Sequence, residues 1–280
     1  MNTVRPLDRF ALVRAHNADD AREAFAAIYS NCMTVEAIER GNPIDVIINN
    51  CPLSDIGLNY TGYGADVRVH FSGSKFITLS FPVAGRGRLP INGIDRILGP
   101  QRGLVTPAAT SFAAELTNSY EHVVLRLDPK ALAKKLSAII GVAIDGELQF
   151  EPLLDFSNNS AALLRDHFFA LVDMISTSAA DLPRLVKSEF EQTIMVMFLH
   201  ASRHNYSHLL DADTPDAALA AVRRVESYIE ANWQQPVTLE SLAAVAGTSV
   251  LSLFRSFRKY RGYSPMQFAE SVRNRRRDLP

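Results

Sequence analysis

The chain has 280 residues, 47% of them hydrophobic, and a formal net charge of -1. This length allows two domains that each bury a stable core, and the two cysteines, Cys32 and Cys51, are too few for a disulfide framework. The opening segment "MNTVRPLDRF" lacks the apolar stretch of a signal peptide, and no apolar run approaches the length of a membrane span. Composition therefore predicts a soluble, cytoplasmic protein and excludes the disulfide-rich and membrane-spanning classes.

The charge is unevenly distributed along the chain. From Ala217 to Pro280 there are ten Lys and Arg residues against five Asp and Glu residues, a net charge of +5, which leaves -6 for the first 216 residues. A basic quarter attached to an acidic remainder indicates that one region is attracted to a polyanion and that the other has a separate role.

The first half of the chain contains one helical pattern followed by many strand patterns. Residues 17–30, "NADDAREAFAAIYS", predict an amphipathic helix capped by Asn17, with acidic residues in the first turn, where the helix dipole favours them. Between Ile44 and Leu127, at least seven short alternating runs such as "DVRVHF" and "HVVLRL" are separated by Gly, Pro and Asn. This spacing of roughly ten residues predicts an antiparallel barrel or sandwich.

The pattern becomes helical again at Asp128. Asp128 is placed to cap a helix that Gly141 ends, and further helices are predicted within residues 160–179 and 184–202. The broad apolar face of the last helix either packs on the strands or meets a partner subunit. The polar stretch that follows has no clear period, and we assign the linker to residues 207–216.

Three further helices are predicted after the linker. The first covers residues 216–233, the second begins after the cap Thr238, and Gly247 provides a turn before Ser249 caps the third, at about 249–260. The residues of the third helix that are predicted to face a small core are Val250, Leu253, Phe254 and Phe257. Those predicted to lie opposite are Ser252, Arg255, Ser256 and Lys259, with Leu251 at the edge.

This arrangement is that of a helix-turn-helix, whose second helix enters the major groove of DNA. Arg255 is the predicted reader of guanine, because its planar fork matches the two acceptors of that base. Arg258, Lys259 and Arg261 lie farther along and are predicted to meet phosphates. A helix pair with a glycine turn also occurs in proteins that do not bind DNA. The predicted DNA-binding residues are Ser249, Leu251, Ser252, Arg255, Ser256, Arg258 and Lys259.

Two segments carry a family resemblance. Residues 237–273, "VTLESLAAVAGTSVLSLFRSFRKYRGYSPMQFAESVR", resemble the first helix-turn-helix of AraC/XylS-type transcription regulators. Residues 64–100, "GADVRVHFSGSKFITLSFPVAGRGRLPINGIDRILGP", are similar to the cupin-like ligand-binding barrel that precedes it in one branch of that family. The resemblance implies an α+β chain, with a cupin-like antiparallel barrel and a helical dimerisation segment in residues 1–206 and a helix-turn-helix domain in residues 217–280.

The sequence departs from that family at its C-terminal end. The family has two helix-turn-helix units joined by a long helix, whereas this sequence shows one unit. The predicted connecting helix begins at Pro265, and the sequence reaches its last residue, Pro280, before a second unit. One module makes few contacts, which predicts weak DNA binding by a monomer and a role for dimerisation. Either nonspecific phosphate attraction or a solvated end is predicted for the tail arginines, Arg273, Arg275, Arg276 and Arg277.

The sequence lacks the metal-ligand pattern of cupin enzymes, as the resemblance describes it. Those enzymes carry a His-x-His pair followed by a carboxylate and a later histidine, whereas His70 and His122 each stand alone here. We therefore expect no metal, no cofactor and no catalysis, and interpret both histidines as surface or hydrogen-bonded structural residues.

A cavity inside the barrel is the predicted effector site. In regulators of this architecture it senses a metabolite, and the resemblance implies an aromatic or other organic acid. A carboxylate would need a buried cation, and Arg86 and Arg88 in "AGRGRLP" are the candidates by bidentate geometry. Tyr60 and Tyr63 are further candidates for effector binding.

The leading hypothesis is a ligand-responsive transcription regulator with promoter DNA, a small-molecule effector, a second copy of the chain and RNA polymerase as partners, and with no membrane partner. A first alternative is a sensor and dimerisation protein that forms heterodimers with a relative without reading DNA. A second alternative is a cupin-like enzyme, which the missing metal ligands disfavour.

Overall fold

The computed structural model describes the residues 5–30, 33–39, 43–178, 181–211 and 215–277. The chain divides into two compact units, one formed by Met1–Ala133 with Leu148–His204 and the other by Lys134–Glu147 with Asn205–Pro280. Within the described ranges, no helix combines the length and the apolar character needed to cross a bilayer.

The first unit is built on two antiparallel sheets. Its strands are β1 (Ala11–Ala15), β2 (Met33–Ala37), β3 (Val46–Pro52), β4 (Ile56–Gly62), β5 (Val67–Phe71), β6 (Ile77–Ala84), β7 (Gly87–Ile91), β8 (Ile94–Leu98), β9 (Arg102–Thr106), β10 (Phe112–Leu116), β11 (Glu121–Leu127) and β12 (Leu153–Asp155). One sheet has the order β1-β3-β4-β11-β6-β9-β12 and the other β2-β5-β10-β7-β8.

The α+β class predicted from the sequence is confirmed, but the barrel is corrected to a two-layer arrangement. Over the described residues the sheets do not close, because each ends at edge strands, β1 and β12 in one and β2 and β8 in the other. Buried side chains of both sheets meet between the layers, for example Ile48 from β3 and Val69 and Leu116 from the smaller sheet. Burying these apolar faces is the main stabilising contribution of the unit.

The helix α1 (Ala18–Tyr29) forms where the sequence predicts it. The side chain of Asn17 accepts a hydrogen bond from the Asp20 amide and so caps the first turn. The buried side chains of Phe25 and Ile28 join the core between the sheets, and the helix contacts β1, β2 and β3. The helix therefore closes one side of the sandwich interior.

The helices α2 (Pro129–Ile140), α3 (Asn159–Thr177) and α4 (Arg184–Ala201) follow the strands. The predicted cap of α2 is confirmed, since Asp128 accepts from the amides of the next turn. The buried carboxylate of Glu191 in α4 accepts hydrogen bonds from the amides of Ser54 and Asp55, at 3.2 and 2.7 Å. This contact fixes α4 to the turn between β3 and β4, while Leu185 at the start of α4 stays 72% exposed.

The second unit contains α5 (Ser207–Asp211), α6 (Pro215–Ala231), α7 (Leu239–Ala246), α8 (Val250–Arg261) and α9 (Pro265–Arg277). The short helix α5 lies in the segment predicted as a linker, of which residues 212–214 are outside the described residues. The last four helices share one apolar core. The largest side chain that α8 buries in it is the ring of Phe257.

Candidate nucleic-acid interface and ligand cavity

Local hydrogen bonds define the two helices of the candidate nucleic-acid interface. Thr238 and Ser241 form a capping box at the start of α7, with both amide-to-hydroxyl distances at 3.1 Å. Gly247 ends α7 in the left-handed region, at φ 67°, which a residue with a side chain rarely adopts. Ser249 then caps α8 by accepting from the Ser252 amide at 3.1 Å. The helix-turn-helix geometry therefore follows from short-range polar contacts.

The exposed face of α8 differs from the predicted one. Leu251 is 48% exposed and Phe254 is 37% exposed, and Arg255, Arg258 and Lys259 are also exposed. At about 100° per residue, this face is centred on Leu251 and Arg258, about a quarter turn from the predicted centre. Phe254 was expected to face the core and instead lies at the surface, because the other helices cover only the side of Leu253 and Phe257.

The three serines among the predicted DNA-binding residues are less accessible. Ser249 and Ser252 are buried, and Ser256 is half-buried and donates its hydroxyl hydrogen bond to the Ser252 carbonyl at 2.8 Å. The hydroxyls of Ser249 and Ser256 are thus hydrogen-bonded to the backbone of α8 itself. The accessible members of the predicted set are Leu251, Arg255, Arg258 and Lys259.

The cations of this unit fall into two groups. Arg261 makes a bidentate ion pair with Glu226 of α6, at 2.7 and 2.8 Å, which raises the pKa of Arg261 and binds its guanidinium to a neighbouring helix. Arg273 donates to the Trp233 and Gln235 carbonyls and so ties α9 to the end of α6.

The second group is available for binding. Arg255 makes no hydrogen bond or ion pair with any described residue, and the Arg258 guanidinium carbon lies 5.6 Å from the centre of the Phe254 ring. Within the tail, Arg275 and Arg276 are exposed along the helix α9. Exposed guanidiniums on one helix face are the groups that bind phosphates and base edges.

A cavity of about 60 Å³ lies inside the first unit, between the two sheets. The lining residues come from α1, from the loops and from both sheets; they are Phe25, Tyr29, Met33, Thr61, Tyr63, Val69, Phe71, Thr78, Ser80, Leu98, Leu104, Thr106, Phe112, Ala114, Leu116, Tyr120, His122 and Val124. None of these residues is Asp, Glu, Lys or Arg. The wall is therefore apolar and aromatic, with a small set of neutral hydrogen-bonding groups.

Three of the lining residues, Ser80, His122 and Tyr63, form what we call the polar triad. Ser80 Oγ lies 2.7 Å from His122 Nδ1, and the Tyr63 hydroxyl lies 3.5 Å from His122 Nε2. Burial lowers the pKa of His122 to about 4, so the imidazole is neutral at pH 7. Burial also raises the pKa of Tyr63 well above its ordinary value, so its hydroxyl keeps the proton.

The structure brings Tyr63 to the cavity but not the other three predicted effector residues. Gly87 and Leu89 of β7 point inward, so Arg88 points outward, where it pairs with Glu115 and Asp95. Arg86 is exposed as well. Thr61 of β4 lines the cavity, so its neighbour Tyr60, although fully buried, faces the opposite side of the strand.

The two histidines differ in position. His70 is exposed on β5, whereas His122 lies in the cavity wall and was not among the predicted effector residues. The alternation in "HVVLRL" puts His122 and Val124 on one face of β11, but it does not show that this face is enclosed. Among the described residues, no group of three His, Cys, Asp or Glu side chains could hold a metal ion.

A buried cation lies close to this interior without lining the cavity. Arg126 is 6% exposed, and it follows His122 and Val124 on the same face of β11. Its guanidinium donates to the Ile28 carbonyl and to Asn50 Oδ1, both at 2.8 Å. Burial lowers the pKa of Arg126 from its ordinary value. The Ile28 carbonyl belongs to the last turn of α1, where the helix dipole favours a cation.

Comparisons with known proteins found a curated relative, similar solved structures and a matching family model. A probable thc operon regulatory protein of Rhodococcus erythropolis is 30% identical over 162 residues, which are 55% of this chain and 47% of that protein. The chain thus matches about half the length of this curated relative.

Two solved structures are also similar. The AraC-like transcriptional activator CuxR is matched over 95% of this chain and 96% of that chain, with 13% identity and a TM-score of 0.48. A probable AraC family transcriptional regulator from Rhodopseudomonas palustris is 54% identical over 20% of this chain and 52% of that chain, with a TM-score of 0.20.

The AraC-binding-like domain family matches residues 21–200, well over half of the chain. This range contains most of α1, the strands β2 to β12, the helices α2 and α3 and nearly all of α4, and with them every residue that lines the cavity. The chain therefore belongs to the AraC-binding-like domain family, and the resemblance to AraC-type regulators found in its sequence is confirmed.

Proposed function

We propose that this protein is a ligand-responsive transcription regulator of the AraC type, in which α8 enters the major groove of promoter DNA and the cavity of the first unit binds a small effector. Regulation would act to the extent that the effector favours one arrangement of the two units over another. A cytoplasmic homodimer that contacts RNA polymerase is part of this proposal.

The observation that carries the DNA-binding part is the exposed face of α8. Arg255 stands on it without a partner among the described residues, with Leu251 and Arg258 one turn away on either side. Arginine matches the two acceptors of guanine, and a leucine methyl can contact thymine. Arg261 and Arg273 bind within the unit, whereas Arg255, Arg258 and Lys259 are exposed on the face that a groove would meet.

Two observations support the homodimer: the few DNA contacts of one module and the exposed apolar side chains on α4. The helix-turn-helix of the described residues makes few contacts by itself, and a second copy of the chain would raise the effective concentration of another module at a promoter. The exposed side chains of Leu185 and Val186 at the start of α4 provide apolar surface of the kind that subunits bury.

The test is a fluorescence anisotropy titration of the full chain with DNA from upstream of its own and neighbouring genes, against a random duplex of equal length. Replacing Arg255 with Ala should reduce base discrimination by about 1 to 3 kcal/mol. The matched control is Arg22→Ala, which removes an exposed arginine of α1 that pairs only locally with Asp19. Equal affinity of the unsubstituted chain for both duplexes at every salt concentration would refute the proposal.

A further inference from the structure

We propose that the effector is a small uncharged molecule, held by apolar contacts with the cavity wall and by hydrogen bonds with the polar triad. The inference deepens the proposed function and rests on it, since it names the class of molecule to which the cavity would respond. It replaces the organic acid that the family resemblance implied.

The first argument is the composition of the wall. The described lining carries no carboxylate, ammonium or guanidinium, and its one titratable base, His122, is neutral at pH 7. A charged ligand in such a site would lose its hydration without gaining an ion pair, which costs far more than burying a neutral polar group that finds a hydrogen bond. The wall therefore selects against both anions and cations.

The second argument is the unused hydrogen-bonding capacity of the polar triad. Ser80 and His122 Nδ1 are joined by a short contact of 2.7 Å, whereas the 3.5 Å between the Tyr63 hydroxyl and His122 Nε2 is at the limit of a hydrogen bond. A polar ligand group beside the last two atoms, about 3 Å from each, would make two shorter bonds in place of one long one. An amide carries both a donor and an acceptor and so fits either tautomer of the imidazole, whereas a carbonyl oxygen alone fits only the tautomer protonated at Nε2.

The third argument concerns Arg126, the charge that an anionic effector would need. Its guanidinium occupies the space above Gly57, where a Cβ would clash with it, and it is turned toward Ile28 and Asn50. Its Nε has no partner among the described residues, but the residue is not part of the cavity wall. The guanidinium of Arg126 is therefore already hydrogen-bonded to the end of α1 and to Asn50.

The size of the cavity limits the ligand further. Its volume of about 60 Å³ is well below the roughly 150 Å³ of a cavity that holds benzene. The volume therefore favours a ligand with a small body and excludes a large ring system.

The test compares three probes that share one carbon skeleton, propionamide, propionate and propionamidine, by calorimetric titration into the full chain at pH 7. The neutral amide should bind at least about tenfold more tightly than the anion or the cation, because only the amide keeps its hydrogen bonds without an unpaired charge. Propionate binding as tightly as propionamide would overturn the inference and indicate that an anion reaches Arg126. An equally tight amidine, or no heat with the amide, would overturn it as well.

A pair of tyrosine variants locates the binding site. Tyr63→Phe removes one hydroxyl from the polar triad and should weaken propionamide binding by about three- to tenfold. Tyr60→Phe removes the same atom from the other face of β4 and should leave binding unchanged. Equal losses in both variants would contradict the assignment, and circular dichroism of the ligand-free variants verifies that each is folded.

The outcome is separable from that of the proposed function, because the probes are titrated without DNA. A chain that binds the amide but no promoter DNA would refute the regulator and leave the ligand class standing. A chain that binds promoter DNA and prefers propionate would refute the ligand class alone.

Discussion

Polar side chains are arranged differently in the cavity of the first unit and on the exposed face of α8. In the cavity, Ser80 and His122 are turned toward each other, and the described wall carries no formal charge at pH 7. On α8, Arg255 and Arg258 point into solvent and make few contacts with the protein. Charged side chains are thus absent from the described wall of the proposed effector cavity and present on the face proposed to bind DNA, so the two regions can be tested separately.

The largest expected effect comes from comparing the buried and the exposed face of α8. Phe257→Ala removes a fully buried ring from the helical core and should lower the free energy of unfolding by about 3 to 5 kcal/mol. Arg255→Ala, on the opposite face, should change it by less than about 0.5 kcal/mol. Urea unfolding followed by the fluorescence of Trp233, the single tryptophan of the chain, which packs against this core, measures both. Comparable losses in the two variants would mean that α8 does not have one buried and one free face.

A second prediction addresses the neutral cavity. The pKa of His122 in the folded protein, about 4, lies below its ordinary value of 6.5, so the unfolded chain binds more protons between these pH values. Stability from this residue is therefore fully present above about pH 6.5 and is lost as the pH falls through 4, by about 1 to 3 kcal/mol in total.

Variants isolate the contribution of His122 from that of other groups. His122→Leu should remove this part of the pH dependence when unfolding is followed by circular dichroism. His70→Leu, at an exposed position of β5, should retain it. An unchanged pH profile in His122→Leu would show that the cavity does not hold the imidazole in its neutral form.

Local structure could be predicted from the sequence, whereas the composition of the cavity could not. The caps at Asn17, Asp128 and Ser249 depend on neighbours two or three residues away, and all three form as predicted. Ser80 and His122 are 42 residues apart in the sequence, and only the pairing of β6 with β11 brings their side chains together. Alternation shows that two residues share a face of a strand, but not which face is enclosed.

The orientation of α8 was missed for a related reason. Its helical period separates two faces, but the width of the buried one depends on how α6, α7 and α9 pack around it. The ring of Phe254, apolar and correctly spaced for the core, is left at the surface by that packing. An exposed aromatic ring next to Arg255 and Arg258 is thus a feature that only the assembled unit shows.

The smallest expected effect separates the two groups of cations in the helical unit. Arg258→Ala should weaken binding to all DNA sequences about equally and reduce the slope of log affinity against log salt by about 1, because one phosphate contact is lost. Arg261→Ala should leave that slope unchanged and lower the free energy of unfolding by up to about 1 kcal/mol, since its partner is Glu226 and the pair is partly solvated. Anisotropy titrations over a salt series, with urea unfolding of the same variants, distinguish the two roles. If Arg261→Ala reduced the salt slope as much as Arg258→Ala, the ion pair with Glu226 would have to open on DNA, and the phosphate-binding surface would extend beyond the exposed face of α8.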